Sequence, residues 1–173
     1  GLPVCTHLAE TPEERRFIAD ADGPQRDLLE RLGIWHDDEL AHIGRGRHPV
    51  GHLAEVLERS PMLLAHVNDA GPDEIAALVR TGASVAYCPR ASAYFGASDR
   101  LGPHRYREML AAGDNVCLGT DSIINLDTPD RISPLDDARL LFRRDGADSR
   151  VLLDMLTRGG ARALGLDHDA FVL

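Results

Sequence analysis

The sequence lacks the features that would tie it to a membrane, to nucleic acid or to an oxidising compartment. It has only three cysteines, Cys5, Cys88 and Cys117, widely spaced within apolar runs, which indicates buried thiols and a cytoplasmic location. Its net charge of −9 at pH 7 argues against binding to a phosphate backbone. No apolar run reaches the roughly 18 residues that a bilayer span needs. We therefore expect neither nucleic acid nor a membrane as a partner.

A glycine-rich phosphate-binding turn is also missing, since no Gly-x-Gly-x-x-Gly occurs in the 173 residues. What is present is an alternation of short apolar runs and amphipathic segments, with 43% hydrophobic residues, enough for one domain with a core. The apolar runs predict strands at 2–7, 62–66 and 84–88 and a last one that begins at Val116. The other segments predict helices at about 12–20, 103–112, 133–144 and 148–164, further helices that end at Gly33, Ser60 and Gly82, and loops at 35–48 and 94–96.

Strands that are apolar on both faces and alternate with helices are typical of parallel βα units, in a barrel or in a doubly wound sheet. The missing glycine-rich turn and the polar side chains at strand ends favour the barrel. We therefore predict an α/β fold of the (β/α)8 TIM-barrel class. Such a barrel has eight strands and takes about 200 residues or more, so the four strands here predict half of one.

Side chains suited to metal or acid–base chemistry follow three of the predicted strands. His7 and Glu10 come after the first, His66 ends the second, and Asp121 follows the last. Because parallel strands share one carboxyl rim, we expect these side chains to lie in one pocket. A cation held by an imidazole lowers the pKa of a bound water, and a carboxylate beside it can move the proton, as hydrolysis requires.

Each of these residues also has a simpler interpretation. His7 could cap a helix while Glu10 is merely solvated, His66 could be a core histidine, and Asp121 could be a helix cap. The recurrence of such residues at three strand ends favours a shared site over separate explanations.

Four spaced motifs resemble the amidohydrolase superfamily, and more narrowly its cytosine deaminase and chlorohydrolase branch, including the aminofutalosine deaminase type. They are Thr6-His7-Leu8-Ala9-Glu10, Ala65-His66, the segment 88–96 (Cys-Pro-Arg-Ala-Ser-Ala-Tyr-Phe-Gly) and the segment 118–122 (Leu-Gly-Thr-Asp-Ser). The resemblance covers nearly the whole chain in the family's order. It implies that the chain is similar to strands 5 to 8 of a (β/α)8 barrel.

The resemblance also implies a catalytic centre with one divalent metal, Zn²⁺ or alternatively Fe²⁺, and a small-molecule substrate. His7 and Asp121 would be metal ligands, and Asp121 could also accept a proton from the bound water. Glu10 would carry that proton to the substrate, while His66 would polarise the water or the substrate. The substrate pocket would be shaped by Arg90, Tyr94, Phe95 and Ser122.

Some positions depart from the family pattern. Relatives commonly read Cys-Pro-Arg-Ser-His where Ala91 and Ser92 stand here, and this chain has Ile-Ile-Asn at 123–125, which leaves the substrate open. The His-x-His pair of the family's first strand does not occur. We therefore expect residues 1–173 to be the C-terminal half of a barrel, a fragment without the N-terminal half and the flanking β-sandwich. The remaining histidines are expected on the surface or in packing, with His48 also a pocket candidate: His36, His42, His48, His52, His104 and His168.

Three functions follow from these observations. The first is a hydrolytic deaminase of a nucleoside-like or other nitrogen heterocycle. The second keeps the fold and the metal but removes chloride or acts as a deiminase. The third is a half-barrel that serves as a structural or binding module without metal, in which self-association into a homo-oligomer would cover the two open edges of a four-stranded sheet.

Overall fold

The protein is described by a computed structural model that covers residues 4–60, 62–128 and 131–167. Within these ranges four strands form one parallel sheet in the order β1-β2-β3-β4. Sequence neighbours are thus neighbours in the sheet, each reached through a helical crossover. The strands are β1 (Cys5–Leu8), β2 (Leu63–His66), β3 (Ser84–Tyr87) and β4 (Asn115–Leu118).

Helices occupy the crossovers and the segment that follows β4. None of those in the described ranges is long and apolar enough to cross a membrane. Short 3₁₀ turns lie at Asp37–Ala41 and Ile123–Asn125, and a π-turn lies at Met155–Gly159. The α-helices are α1 (Pro12–Asp20), α2 (Pro24–Arg31), α3 (Pro49–Arg59), α4 (Pro72–Thr81), α5 (Pro89–Tyr94), α6 (Ala97–Leu101), α7 (Tyr106–Ala111), α8 (Pro134–Asp145), α9 (Ser149–Asp154) and α10 (Gly160–Ala163).

Local sequence explains where most of these helices begin. Proline stands in the first turn of α1, α3 and α8, where its missing N–H would have had no helical partner. The residue directly before each of these helices is Thr11, His48 or Ser133, and its side chain accepts a hydrogen bond from a backbone N–H of the first turn. The predicted helix at 12–20 is therefore confirmed at both ends.

The core lies between the sheet and the helices that cover it. β2 and β4 are buried at three of their four residues and β3 at two of four, with no exposed position in any of them, as expected for parallel strands covered by crossover helices. β1 pairs on one side only within the described residues and is more exposed. Among the largest fully buried apolar side chains are Leu57, Leu64, Leu78, Val85, Met109, Val116, Leu141 and Met155.

Three expectations from the sequence are corrected. The segment 94–96 is not a plain loop, because Tyr94 is the last residue of α5 and α6 begins directly after Gly96. Pro89 and the alanines after it form the helical turns of α5, and Gly96, with a φ of 64°, joins the two helices. The helix expected at 148–164 is interrupted by the π-turn, where the Gly159 carbonyl accepts a hydrogen bond from Asn115 Nδ2 at 3.1 Å. Cys5 is exposed rather than buried, since it lies on the outer strand, whereas Cys88 and Cys117 are buried.

The close approach of β4 to the turn after β3 yields a stability prediction. A methyl group at Gly119 would lie 2.9 Å from the Sγ atom of the buried Cys88, closer than ordinary packing permits. We expect Gly119→Ala to lower the free energy of unfolding by about 1–3 kcal/mol, measured by urea denaturation. Adding Cys88→Ala should recover part of that loss, because it removes the clashing sulfur.

The control is Gly51→Ala in α3, where a methyl group would meet no atom within 4 Å. This substitution should leave stability unchanged or raise it slightly, since alanine favours a helix over glycine. Equal losses from the two alanine variants would contradict the packing explanation.

Candidate metal centre and active site

The carboxyl end of the sheet brings together the side chains of His7, His66 and Asp121. The register pairs His7 with Ala65 and Leu8 with His66, so the two histidines are diagonal neighbours at the carboxyl end of the sheet. Their ring centroids are 5.0 Å apart, and His7 Nε2 lies 3.9 Å from Asp121 Oδ1. One ligand atom from each of the three residues lies within 4.8 Å of the others, an arrangement that can hold a metal ion. The predicted meeting of these residues at one rim is therefore observed.

The environment of His66 fits a cation. The residue is 1% exposed, and both of its ring nitrogens are buried without a hydrogen-bond partner among the described residues. Burial lowers the pKa of this imidazole, although the carboxylates of Glu10 and Asp121 oppose the shift. A neutral imidazole beside another imidazole and a carboxylate is a nitrogen and oxygen donor set that zinc accepts. The residues present thus fit a divalent metal.

The backbone at the site adopts a conformation that non-glycine residues seldom have. Positive φ values occur at Ala9 (51°), His66 (71°), Val67 (52°) and Asp121 (58°), directly at or after the ends of β1, β2 and β4. This region is especially unfavourable for a β-branched residue such as Val67. Such strain is typical of sites where the chain must aim a side chain, and here it falls on two of the three candidate ligands, His66 and Asp121.

Glu10 lies beside this cluster, with Oε1 3.7 Å from His66 Nε2. The turn that carries it is held by Glu14, whose carboxylate accepts hydrogen bonds at 2.8 Å from the backbone N–H groups of both Ala9 and Glu10. Thr11 in turn accepts from the Glu14 N–H at 3.1 Å. Glu14 is a site residue beyond those predicted from the sequence, and the Thr-x-x-Glu spacing of a capping box is the sequence signal that marks it.

Two further buried residues fix Glu10 from the other side. Asn68 donates from Nδ2 to the Glu10 carbonyl at 3.2 Å and accepts from the Ser92 hydroxyl at 2.9 Å. This chain of hydrogen bonds connects the segments that follow β1, β2 and β3. In the sequence, Ser92 is marked only by its departure from the family pattern, and no local pattern marks Asn68.

A cleft of about 280 Å³ opens beside Glu10 and Asn68. Its wall combines these polar groups with apolar side chains and with Arg100, which forms an ion pair with Glu13. His7, His66 and Asp121 do not line it, so the cleft approaches the cluster from the side of Glu10. The lining residues are Glu10, Thr11, Pro12, Asn68, Ala91, Ser92, Phe95, Ala97, Arg100 and Leu101.

The four residues expected to shape the substrate pocket have different surroundings. Phe95 lines the cleft, and Tyr94 is exposed with its ring against Phe95 at a centroid distance of 4.9 Å. Ser122 caps the 3₁₀ turn that follows it by accepting from the Ile124 N–H. Arg90 is buried and directed into the protein, towards α8 and the loop before it.

All five guanidinium N–H groups of Arg90 are engaged by the protein. Nε and one terminal nitrogen contact the Asp137 carboxylate at 3.0 and 2.9 Å. The remaining donors reach Asp127, Thr128 and the Ser133 carbonyl. Asp137 also accepts from the Arg90 backbone N–H at 3.1 Å. Arg90 therefore attaches the turn after β3 to α8 and has no free donor for a ligand.

The other histidines lie outside the cluster. His48 uses Nδ1 to accept from the Val50 N–H at the start of α3. His104 is packed behind β2, with its ring on Tyr87, and burial lowers its pKa to about 4. These two therefore have packing roles. His36 and His42 are exposed, His52 lies part-buried in α3, and His168 is outside the described residues.

The sequence of this chain matches a known protein family and curated relatives. Residues 1–170 match the amidohydrolase family. The aminodeoxyfutalosine deaminase of Deinococcus radiodurans is 33% identical over 172 residues, which are 95% of this chain and 39% of that protein. The chain thus spans about two fifths of the length of that curated relative.

Solved structures agree on the fold. The Helicobacter pylori aminofutalosine deaminase in complex with methylthio-coformycin matches with a TM-score of 0.66 at 19% identity, over 94% of this chain and 38% of that one. The atrazine chlorohydrolase TrzN from Arthrobacter aurescens, complexed with zinc, matches with a TM-score of 0.61 at 24% identity, over 95% and 32%. Such neighbours are TIM barrels, which confirms the predicted fold class and makes the four-stranded sheet part of one.

The burial of Arg90 leads to a prediction that compares its two acidic partners. Asp137→Ala should lower the free energy of unfolding by about 3–5 kcal/mol, because it removes the buried carboxylate that pairs with the Arg90 guanidinium. Asp127→Ala should cost about 0–1 kcal/mol, since the Asp127 side chain is 81% exposed whereas that of Asp137 is fully buried. Chemical denaturation of both variants checks the difference, and equal losses would contradict the anchoring role of Arg90.

Proposed function

This chain belongs to the amidohydrolase family, and on that premise we propose that it supplies the C-terminal half of the active site of a metal-dependent hydrolytic deaminase. The family match and the deaminase relative support this reading. The substrate would be a nucleoside-like molecule or another small nitrogen heterocycle that carries an amino group. The observation that carries the proposal is the buried imidazole of His66, without a hydrogen-bond partner among the described residues and within 4.8 Å of two further ligand atoms.

His7 and Asp121 would hold the metal, for which zinc is our first choice and Fe²⁺ the alternative. The zinc bound by the structurally similar TrzN supports that choice. When bound, a divalent cation supplies Lewis-acid chemistry that lowers the pKa of a water molecule towards neutrality. His66, held neutral by burial, would form a hydrogen bond to that water or to the substrate. Further ligands would come from the part of the barrel that precedes β1.

Glu10 would move the proton that hydrolysis has to transfer. Water adds its oxygen to the ring carbon that carries the amino group, and that group leaves as ammonia. An amino group is a poor leaving group until its nitrogen gains a proton, so a carboxylate that takes a proton from the water and returns it to that nitrogen assists both steps. Glu10 is half-buried beside His66, and Glu14 and Asn68 hold its backbone from two sides. This preorganisation suits a proton carrier.

The substitution Glu10→Gln tests this role in the full-length protein. It removes the proton carrier and keeps the shape, so we expect kcat for deamination to fall by about 10²–10⁴-fold while metal content stays at the wild-type level. Ammonia release and elemental analysis of the purified protein measure the two quantities. Near-normal turnover in this variant would refute the assignment of Glu10.

A matched control is Glu55→Gln, which makes the same chemical change on the exposed side of α3. It should alter neither turnover nor metal content. A parallel loss in this control would indicate that the assay reports on folding rather than on proton transfer.

Removal of chloride is the second candidate activity, because TrzN shares this fold and is a chlorohydrolase. Chloride leaves as a stable anion and needs no proton, whereas an amino group does. A panel of aminated and chlorinated heterocycles, assayed in parallel for ammonia and chloride, separates the two. We expect ammonia release to dominate; chloride release as the main product would move the proposal to dechlorination.

A further inference from the structure

The backbone forms a tight, strained turn at the end of β2, centred on His66. His66 has a φ of 71°, and the N–H of the residue after it, Val67, reaches the carbonyl of the residue before it, Ala65, at 3.2 Å. A hydrogen bond between residues i and i+2 around a positive φ is typical of the γ-turn that is rare in proteins because it is strained. The same N–H also lies 3.0 Å from the Leu8 carbonyl in β1.

The carbonyl of His66 itself is bound by a residue from a distant part of the chain. His104, between α6 and α7, places Nε2 2.8 Å from the His66 carbonyl oxygen. Since a carbonyl oxygen only accepts, Nε2 carries the proton and donates it. The His104 ring is stacked on Tyr87 of β3 at a centroid distance of 3.7 Å and an interplanar angle of 13°.

Tyr87, on which the His104 ring is stacked, is itself held in place by the core. It is 1% exposed in the core, and its hydroxyl accepts from Arg144 of α8 at 3.2 Å. The His104 ring therefore cannot shift without disturbing the packing between β3 and α8. A donor held so firmly can maintain a backbone conformation that the chain would otherwise leave.

We propose that His104 is a positioning residue that locks the γ-turn at His66 and thereby aims the His66 imidazole at the cluster formed with His7 and Asp121. The catalytic consequence rests on the proposed function, whereas the structural part does not. The turn directs the side chain of a strand-end residue that would otherwise continue the alternation of β2. A substitution of His104 should therefore change the orientation of the His66 imidazole, although His104 itself contacts no substrate.

Two substitutions separate the hydrogen bond from the stacking. His104→Phe keeps an aromatic ring on Tyr87 and removes the donor, whereas His104→Gln keeps an N–H donor and removes the ring. In the full-length protein we expect His104→Phe to accelerate amide hydrogen exchange at Val67 at least 10-fold. It should also lower kcat about 10–100-fold with KM changed less than threefold. His104→Gln should restore both quantities to within about threefold of wild type.

A measurement on the unmodified protein covers the case in which the variants do not fold. Nuclear magnetic resonance with ¹⁵N and ¹³C labels should show His104 as the Nε2-protonated tautomer, with a scalar coupling across the hydrogen bond to the His66 carbonyl carbon. Absence of that coupling, or the Nδ1-protonated tautomer, would overturn the proposal. So would a His104→Phe variant with unchanged exchange at Val67, or a His104→Gln variant that behaves like the phenylalanine one.

These outcomes also distinguish this proposal from the proposed function. If the coupling and the change in exchange are present but no heterocycle is deaminated, the lock on the turn stands and the function fails. If deamination is observed while the coupling is absent, the function stands and the role of His104 fails.

Discussion

The parallel register of β1 against β2 is the constraint on which the candidate site depends. It places His7 beside Ala65 and Leu8 beside His66, so that two imidazoles from distant parts of the sequence lie 5.0 Å apart. Alternation along β2 alone would turn His66 away from the face that carries His7, so the positive φ of 71° at His66 is the second part of this constraint. The rest of the sheet supports this register, since β3 and β4 continue the same order and bring Asp121 to the same rim.

The site concentrates features that are unfavourable on their own. An imidazole is buried with neither nitrogen hydrogen-bonded to a described residue, and left-handed backbone occurs at residues other than glycine beside it. Compensation comes from outside the cluster. Glu14 fixes the turn at Glu10, Asn68 and Ser92 hold it from the opposite side, and the packed sheet maintains the strand ends. The groups that hold the site thus belong to the packed fold, and such preorganisation suits electrostatic and acid–base catalysis.

The buried Arg90 extends this organisation to the outer helices. Its contact with Asp137 attaches the turn after β3 to α8, the helix that follows the strand carrying the candidate ligand Asp121. The family resemblance implied that Arg90 shapes the substrate pocket. In the structure its N–H donors bind α8 and the loop before that helix instead. Phe95, only five residues further along the chain, does face the cleft. Neighbouring positions of one motif thus divide between a residue that holds the fold together and one that forms the wall of the cleft.

The fold class, most element positions and the main candidate residues could be predicted from the sequence alone, because they follow from local patterns. Proline and a capping residue mark where α1 begins, and the polar residues after apolar runs mark the rim. The contributions of Asn68, Ser92 and His104, and the engagement of every Arg90 donor, emerged only from the tertiary structure. Their partners lie in other segments, and no local pattern encodes which distant carbonyl or carboxylate a side chain will meet. That depends on strand register and on backbone angles such as the φ of His66, which are decided when the whole sheet packs.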